Sequence, residues 1–185
     1  MSSSMPREQH ILIQALSDNP LAFTTQLCRL SQECRCAIIS SRLTRHSGLS
    51  ALTLEVKGSW DALARMENGL LQLKKRDAVL LDYTRIQPVD SSTQALPYIV
   101  YVSARYQPDT LTELCLFFSN QDIELQNIVY DSFVAPQTNT LMLNATLTLG
   151  LPASTPIGWL REQFLDFAEA LNLDAMIEPW RPQLV

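Results

Sequence analysis

The side chains best suited to bond-making chemistry are four cysteines and two histidines: Cys28, Cys34, Cys36, Cys115, His10 and His46. Cys34 and Cys36 form a C-x-C pair, whereas tetrahedral zinc sites usually combine C-x₂₋₄-C spacing with a second pair of ligands. On an extended chain, two cysteines at this spacing also lie near the upper limit for a disulfide. The sequence therefore predicts no metal site, and a redox role for Cys34 and Cys36 stays open as an alternative.

Other kinds of catalysis need a nucleophile, an acid or base and an electrophile in one pocket. His10 begins a predicted strand and His46 lies in a predicted hairpin turn, where we expect both at the surface. The five glycines form neither a G-x-G-x-x-G motif nor a phosphate-binding loop. Cys28 and Cys115 occupy core positions of two predicted helices and pack as small hydrophobic residues. The sequence predicts no catalytic residue and no cofactor, with an enzyme based on the C-x-C pair as an alternative.

Charge is unevenly divided along the 185 residues, which carry a net charge of -5. Residues 1–97 hold 11 Lys/Arg against 9 Asp/Glu, and residues 98–185 hold 3 against 10, so the second part has a charge of -7. Binding to DNA depends largely on neutralising phosphates with Lys and Arg. The one basic run, at residues 74–76, ends a predicted helix and complements its dipole. The charge pattern predicts no direct binding to DNA.

The composition is that of a folded chain, with 46% hydrophobic and 18% charged residues. No run approaches the roughly 18 apolar residues of a membrane-spanning helix. Residues 1–8 lack the apolar stretch of a secretory signal, so we expect the four cysteines to be reduced thiols. These features predict a cytoplasmic protein without a membrane segment.

Hydrophobic periodicity predicts a βαββαβ order in the first half of the chain. Strands are expected at residues 10–16, 37–44, 49–57 and 78–86, the third of which alternates apolar and polar side chains. Phe23, Leu27 and Leu30 mark the buried face of the first helix. Ser59 is the predicted N-cap of the second. This order is that of the ferredoxin-like fold.

The same order is predicted again after a linker at residues 88–97. Strands are expected at residues 98–105, 124–133, 140–149 and 174–178. Leu114 and Phe118 lie on the face of one helix, and Thr155 is the predicted N-cap of the other, with Pro156 at its first position. A shift of 87 residues carries the TQLC of residues 25–28 onto the TELC of residues 112–115.

The repeat predicts the domain organisation of the chain. Residues 1–9 are expected to be loose, residues 10–87 to form a first domain and residues 98–182 a second. The fold class is α+β: two tandem ferredoxin-like domains, each with an antiparallel sheet and its helices on one face.

Aromatic side chains are a further class of candidate. Trp60 and Trp159 stand near the starts of the second helix in each half, and we predict that they pack at the helix–sheet junction. Tyr98, Tyr101 and Tyr106 crowd one strand, as the base-stacking rings of RNA-binding modules do. Because the K/R-G-F/Y-G/A-F-V signature is missing and this half is acidic, the sequence does not predict RNA binding.

The turn between the first strand and the first helix of each domain could bind a carboxylate. It presents backbone N–H groups at a helix N-terminus. The turn reads Ser-Asp-Asn-Pro at residues 17–20 and Gln-Pro-Asp-Thr at residues 107–110. These sequences also fit ordinary Asx- or proline-initiated turns, so that interpretation stays open.

Several short stretches resemble tandem ACT domains, the small regulatory βαββαβ modules of amino-acid metabolism. They lie at residues 11–20, 36–43, 111–113 and 117–123, and the order and length of the two modules extend the resemblance over residues 10–182. The sequence most resembles the bacterial glycine cleavage system transcriptional repressor family. The resemblance implies a non-enzymatic regulator that restrains a LysR-type activator by protein contact in response to glycine.

The resemblance also implies a place for the effector, at the first turn and at the start of the facing second strand. The matching residues are Asp18, Asn19, Pro20 and Ser40 in the first domain and Asp109, Thr110 and Asn127 in the second. Turns of this family commonly end in Pro-Gly, whose glycine lets the backbone approach the ligand. Here Leu21 follows Pro20, and Thr110 stands at the glycine position. A purely structural role for one or both turns therefore stays open.

Regulation by such a protein requires that an effector shift the population of its arrangements and so its affinity for the partner. The acidic second half would steer association with a basic patch on that partner. The alternative function is an amino-acid-sensing module that acts in trans on a metabolic enzyme. Formation of a homodimer also stays open as an alternative, because edge strands can pair between two copies of the chain.

Overall fold

The computed structural model describes residues 9–77, 80–87 and 95–181. The chain divides into two compact units, residues 1–89 (unit 1) and residues 90–185 (unit 2). Among the described helices, none combines the length and apolarity needed to cross a bilayer. Most of the predicted loose N-terminus (1–9), most of the predicted linker (88–97) and residue 182 lie outside the described residues.

Unit 1 has the predicted βαββαβ order. Its elements are β1 (Gln9–Ser17), α1 (Pro20–Glu33), β2 (Ala37–His46), β3 (Leu49–Gly58), α2 (Trp60–Asp77) and β4 (Leu80–Ile86). The strands form one antiparallel sheet in the order β2-β3-β1-β4. The predicted N-cap of α2 is confirmed, because the backbone N–H of Ala62 donates a 3.3 Å hydrogen bond to Ser59 Oγ.

Both helices of unit 1 cover the same face of its sheet. Ile11 and Ile13 of β1 belong to one apolar cluster with Leu27 of α1 and Leu63 of α2, and all four are almost fully buried. Burial of each such side chain contributes roughly 1.5–3 kcal/mol. Because successive strand residues point to opposite faces, the intervening residues lie on the uncovered side, called the open face below.

Unit 2 repeats this fold. Its elements are β5 (Leu96–Arg105), α3 (Thr110–Ser119), β6 (Glu124–Ala135), β7 (Thr140–Leu151), α4 (Ile157–Ala170) and β8 (Asp174–Pro179). The antiparallel sheet has the order β6-β7-β5-β8, which matches the order in unit 1 strand for strand. The predicted fold class, two ferredoxin-like α+β units in tandem, is confirmed.

Aromatic packing distinguishes the core of unit 2. Phe117 and Phe118 of α3 meet Phe164 and Phe167 of α4, with ring centroids 4.7 to 5.5 Å apart between the helices. Each pair at this distance adds roughly 0.5–1.5 kcal/mol beyond its buried area. The two helices are thereby joined to each other as well as to the sheet.

Some predicted element boundaries are wrong by one or two residues. Helix α4 begins at Ile157 with Pro156 as its N-cap, so Thr155 does not cap it. Pro156 has an extended backbone (ψ 93°), which excludes it from the helix itself. Strand β5 begins at Leu96 rather than Tyr98, because its pairing with β7 continues for two further residues.

The predicted packing of the tryptophans is also wrong. Trp60 is 65% exposed and Trp159 is 51% exposed. In each helix a nearby leucine faces the core instead, Leu63 in α2 and Leu160 in α4. The Arg85 guanidinium lies 6.0 Å from the centroid of the Trp60 ring, which is a cation–π distance. Both indoles therefore lie outside the hydrophobic cores.

Gly69, in the middle of α2, allows α1 to pack closely against it. A Cβ at this position would lie 2.4 Å from Leu30 Cδ1. We expect Gly69→Ala to lower the free energy of unfolding by about 1 kcal/mol, because overpacking costs roughly 1–3 kcal/mol and the gain in helix propensity is only about 1 kcal/mol. Urea denaturation followed by circular dichroism measures the change.

Gly158 provides the matched control, since it lies in the first turn of α4 with no atom within 4 Å of an added Cβ. Gly158→Ala should leave stability unchanged or raise it by up to about 1 kcal/mol. If Gly69→Ala behaves in the same way as Gly158→Ala, the contact with Leu30 does not require glycine.

Candidate functional site

The first turn of unit 1 is a capped helix start. Asn19 is the N-cap of α1, and its Oδ1 accepts a 3.4 Å hydrogen bond from the backbone N–H of Ala22. Pro20 occupies the first helical position and has no N–H to offer. Asp18 and Asn19 are exposed, and Leu21 is 78% exposed. Because Pro20 has no N–H and the N–H of Ala22 is bonded to Asn19, fewer backbone N–H groups remain at this turn for a ligand carboxylate.

The first turn of unit 2 differs from that of unit 1. Asp109 is the N-cap of α3 but makes no capping hydrogen bond with its side chain, and its carboxylate is exposed at the positive end of the helix dipole. Thr110 is only 3% exposed, and its N–H donates to the backbone oxygen of Gln107 at 3.2 Å. Thr110 is therefore inaccessible to a ligand, and the carboxylate of Asp109 would repel the carboxylate of an amino acid.

Ser40 and Asn127 occupy equivalent positions in the edge strands, each just after a break in register. The breaks fall between Ile38 and Ser40 in β2 and between Leu125 and Asn127 in β6. Bulges of this kind at a sheet edge change the direction of the next side chain. The two strand residues predicted from the family resemblance therefore correspond to each other in the two units.

Within each unit, the register separates these strand residues from the first turn. Ser40 lies level with Leu12, five residues before the end of β1, which is about 17 Å along the strand. Asn127 lies level with Ile99, six residues before the end of β5. The structure thus brings Asp18, Asn19 and Pro20 together but not Ser40 with them, and it likewise separates Asn127 from Asp109 and Thr110.

Ser40 belongs instead to a polar trio on the open face of unit 1, formed with His10 and Glu55. Glu55 Oε1 lies 2.6 Å from His10 Nδ1, which donates to it, and Glu55 Oε2 accepts a 3.5 Å hydrogen bond from Ser40 Oγ. His10 was predicted at the surface but is 8% exposed, because β1 is a central strand and its neighbours surround the ring. Glu55 was not among the predicted site residues, although it lies on the polar side of the alternating third strand.

The order in which the three side chains are hydrogen-bonded determines whether the trio can act in catalysis. A catalytic serine needs the imidazole next to its hydroxyl, with the carboxylate behind the imidazole. Here Glu55 lies between Ser40 and His10, so the imidazole does not contact the serine hydroxyl. The arrangement lacks an activated nucleophile, but its carboxylate and hydroxyl can accept hydrogen bonds from an ammonium group.

Unit 2 does not repeat the trio. The register puts Thr148 at the place of Glu55, between Asn127 and Ile99. The strand position equivalent to His10 is Pro97, two residues before Ile99. A neutral hydroxyl replaces the carboxylate, so only unit 1 offers a negatively charged acceptor at this position.

Burial makes Cys34 and Cys36 poor nucleophiles. Both are buried free thiols, and desolvation raises the pKa of each, so that the reactive thiolate is disfavoured. Cys28 and Cys115 were predicted in the core but are half-buried, because Leu27 and its counterpart in α3 face the core one residue earlier. Among the described residues, no group of three or more His, Cys, Asp or Glu side chains is placed to hold a metal ion.

Comparison with protein families identifies the class of the first unit. Residues 9–84 match the family model of the ACT domain. Unit 1 is therefore similar to ACT domains, and the chain is a tandem of two ferredoxin-like units. A search of curated proteins found no match to the sequence.

Two solved structures share the tandem fold over nearly the whole chain. One is a protein provisionally assigned as a glycine cleavage system transcriptional repressor. It is 20% identical, with a TM-score of 0.70 over 92% of this chain and 96% of that chain. The other is an unknown protein from Galdieria sulphuraria, 12% identical, with a TM-score of 0.73 over 94% of this chain and 99% of that chain. At these identities the similarity establishes the shared two-domain fold.

The thiols should differ in reactivity according to their burial. In the native protein at about pH 8, we expect Cys28 and Cys115 to react with an aromatic disulfide reagent at least about tenfold faster than Cys34 and Cys36, because a raised pKa lowers the fraction of thiolate. The absorbance of the released thiolate measures the rates.

Serine variants assign the kinetic phases. The double variant Cys28→Ser, Cys115→Ser should lose the fast phase, and the double variant Cys34→Ser, Cys36→Ser should keep it. In guanidinium chloride all four thiols should react at similar rates. A fast phase that disappears only with Cys34 and Cys36 would restore the redox alternative.

Proposed function

We propose that this chain is a non-enzymatic regulator that represses glycine cleavage genes by binding a LysR-type transcriptional activator in response to glycine or another amino acid. The observation that carries this proposal is the tandem architecture, which superposes over 92% of the chain on the provisionally assigned glycine cleavage repressor. The match of residues 9–84 to the ACT domain family supports a regulatory role for unit 1. The protein would act in the cytoplasm.

The charge distribution supports action through a protein rather than through DNA. The described part of unit 2 contains three arginines against ten acidic residues. A duplex would be repelled by such a surface, whereas a basic patch on a DNA-binding activator would be attracted. The activator would then supply the contacts with DNA, and this chain would control the activator by occupying it.

The open face of unit 1 supports the binding of a small amino acid. Glu55 and Ser40 would accept hydrogen bonds from the ammonium group of the ligand. Arg42 follows Ser40 and Lys57 follows Glu55 at two-residue spacing, so both cations lie on the same face of the sheet. Side chains of both signs close together complement a zwitterion.

Removal of the carboxylate tests this site. We expect isothermal titration calorimetry to detect binding of glycine or of another small amino acid, and Glu55→Gln to weaken it about tenfold or more, because a charge-assisted hydrogen bond becomes a neutral one. Thr148→Ala, at the equivalent position of unit 2, is the matched control and should leave the affinity unchanged.

Two results would contradict the effector site. One is the absence of heat with glycine, serine, alanine and other amino acids at millimolar concentration. The other is an equal loss of affinity in Glu55→Gln and Thr148→Ala, which would mean that the substitution at Glu55 acts through general damage to the protein.

Identification of the partner tests the regulatory role. The tagged chain, expressed in its native host, should retain a LysR-type activator that mass spectrometry identifies, and retention should weaken as salt screens the acidic surface. The purified chain alone should not shift the activator's DNA, whereas it should alter the shift that the activator produces. Retention of a metabolic enzyme in place of an activator would favour the alternative function.

A further inference from the structure

The open face of unit 2 carries a groove, lined by both apolar and polar side chains, that the core does not use. Ile99 and Tyr101 of β5 lie beside Met176 of β8 on this face, and Trp180 follows at the end of β8. Met176 is 52% exposed, Trp180 is 45% exposed and Tyr101 is 40% exposed. Exposed apolar side chains that adjoin one another, as Tyr101 and Met176 do, are typical of interaction surfaces.

Two adjoining depressions that share Tyr101 form this groove. The first has a volume of about 310 Å³ and is lined by Ser103, Asn144, Asp174 and Met176 among others. The second has a volume of about 640 Å³ and is lined by Ile99, Glu178, Pro179, Trp180 and Arg181 besides Tyr101. Together they follow β5 and β8 over the whole length of the shorter strand.

The length of the groove fits a helix. Six residues separate Asp174 from Trp180, which corresponds to about 20 Å of strand. An α-helix covers the same distance in about 13 residues, or between three and four turns. An amphipathic helix of this length presents an apolar stripe that can bury the exposed ring of Tyr101 and the thioether of Met176.

The charged side chains beside the groove indicate which charges the polar side of a bound helix should carry. Asp174 and Glu178 flank Met176 at two-residue spacing on the open face of β8. Arg105 lies beyond one end of the groove, and Arg181 lines the other end beside Glu178. A second copy of this chain would bring another acidic surface against these carboxylates, whereas a helix with lysines or arginines beside its apolar stripe would complement them.

The corresponding depression on the open face of unit 1 has a different set of side chains. This depression, with a volume of about 490 Å³, contains Lys74 and Asp82, whose charged groups lie 4.0 Å apart. Gln14 stands where unit 2 has Tyr101 and Asp82 where unit 2 has Met176. The apolar side chains exposed there are Leu80 and Leu16, which pair with each other across the sheet.

We propose that the groove between β5 and β8 of unit 2 docks an amphipathic, cationic helix of a partner protein. The inference rests on the proposed function, in which the chain acts by protein contact, and it names the surface and the chemistry of that contact. Met176 and Tyr101 bury the apolar stripe, and Asp174 and Glu178 receive the cations.

A designed peptide tests the groove directly. The probe is a labelled 14-residue helix of leucine and lysine with the leucines on one face, titrated with the full chain and followed by fluorescence anisotropy. We expect saturable one-to-one binding, about tenfold weaker or worse for a peptide with glutamate in place of lysine. A peptide of the same composition in scrambled order should also bind more weakly.

Variants locate the binding. Met176→Lys should weaken the leucine–lysine peptide about tenfold, because it removes an apolar contact and adds a repelling charge. Leu80→Lys, on the open face of the equivalent strand of unit 1, is the matched control and should change the affinity by less than about twofold. Both side chains are largely exposed, and thermal melts should coincide with that of the wild type.

Several results would overturn the inference: no binding up to about 1 mM peptide, equal affinity for the lysine and glutamate peptides, or equal losses in Met176→Lys and Leu80→Lys. Sedimentation equilibrium provides a further check, since a dimer abolished by Met176→Lys would assign the groove to a second copy.

If the peptide binds in the groove but the native host yields no activator, the proposed function fails and the docking role of the groove stands. If an activator is retained equally by Met176→Lys, the groove fails and the proposed function stands.

Discussion

The placement of both helices on one face of each sheet is the constraint on which the rest of the structure depends. In a βαββαβ chain, each crossover returns over the same side, so a single apolar layer joins alternate strand residues to two helices. The other face of each sheet receives no cover from its own unit. Side chains on that face are free of the packing requirement and can differ between the two units without cost to the core.

The two open faces have diverged in this way. In unit 1 the face carries a carboxylate held between an imidazole and a hydroxyl, whereas in unit 2 it carries Tyr101 and Met176 flanked by Asp174 and Glu178. The polar trio of unit 1 and the apolar pair of unit 2 occupy different register positions, so the two open faces differ in chemistry at both places. In the functions proposed above, unit 1 would sense a small polar molecule and unit 2 would contact a protein.

Much of the fold could be predicted from the sequence because its signals are local. The alternation in β3, the N-cap at Ser59 and the face of Phe23 and Leu27 each depend on residues near in the chain. The candidate site could be predicted less well. Resemblance to a family pointed to Ser40, but Glu55 and His10 reach it from two other strands, and no spacing along the chain indicates that the three meet.

The amino-acid sequence by itself determined the order of the elements, the division into two units and the acidic character of the second, since periodicity and charge are properties of contiguous residues. Only the tertiary structure decided that His10 is buried against Glu55, that Trp60 and Trp159 face solvent, and that the first turns lie far from Ser40 and Asn127 within their units. These outcomes depend on strand order and register, which set the distances between residues remote in the chain.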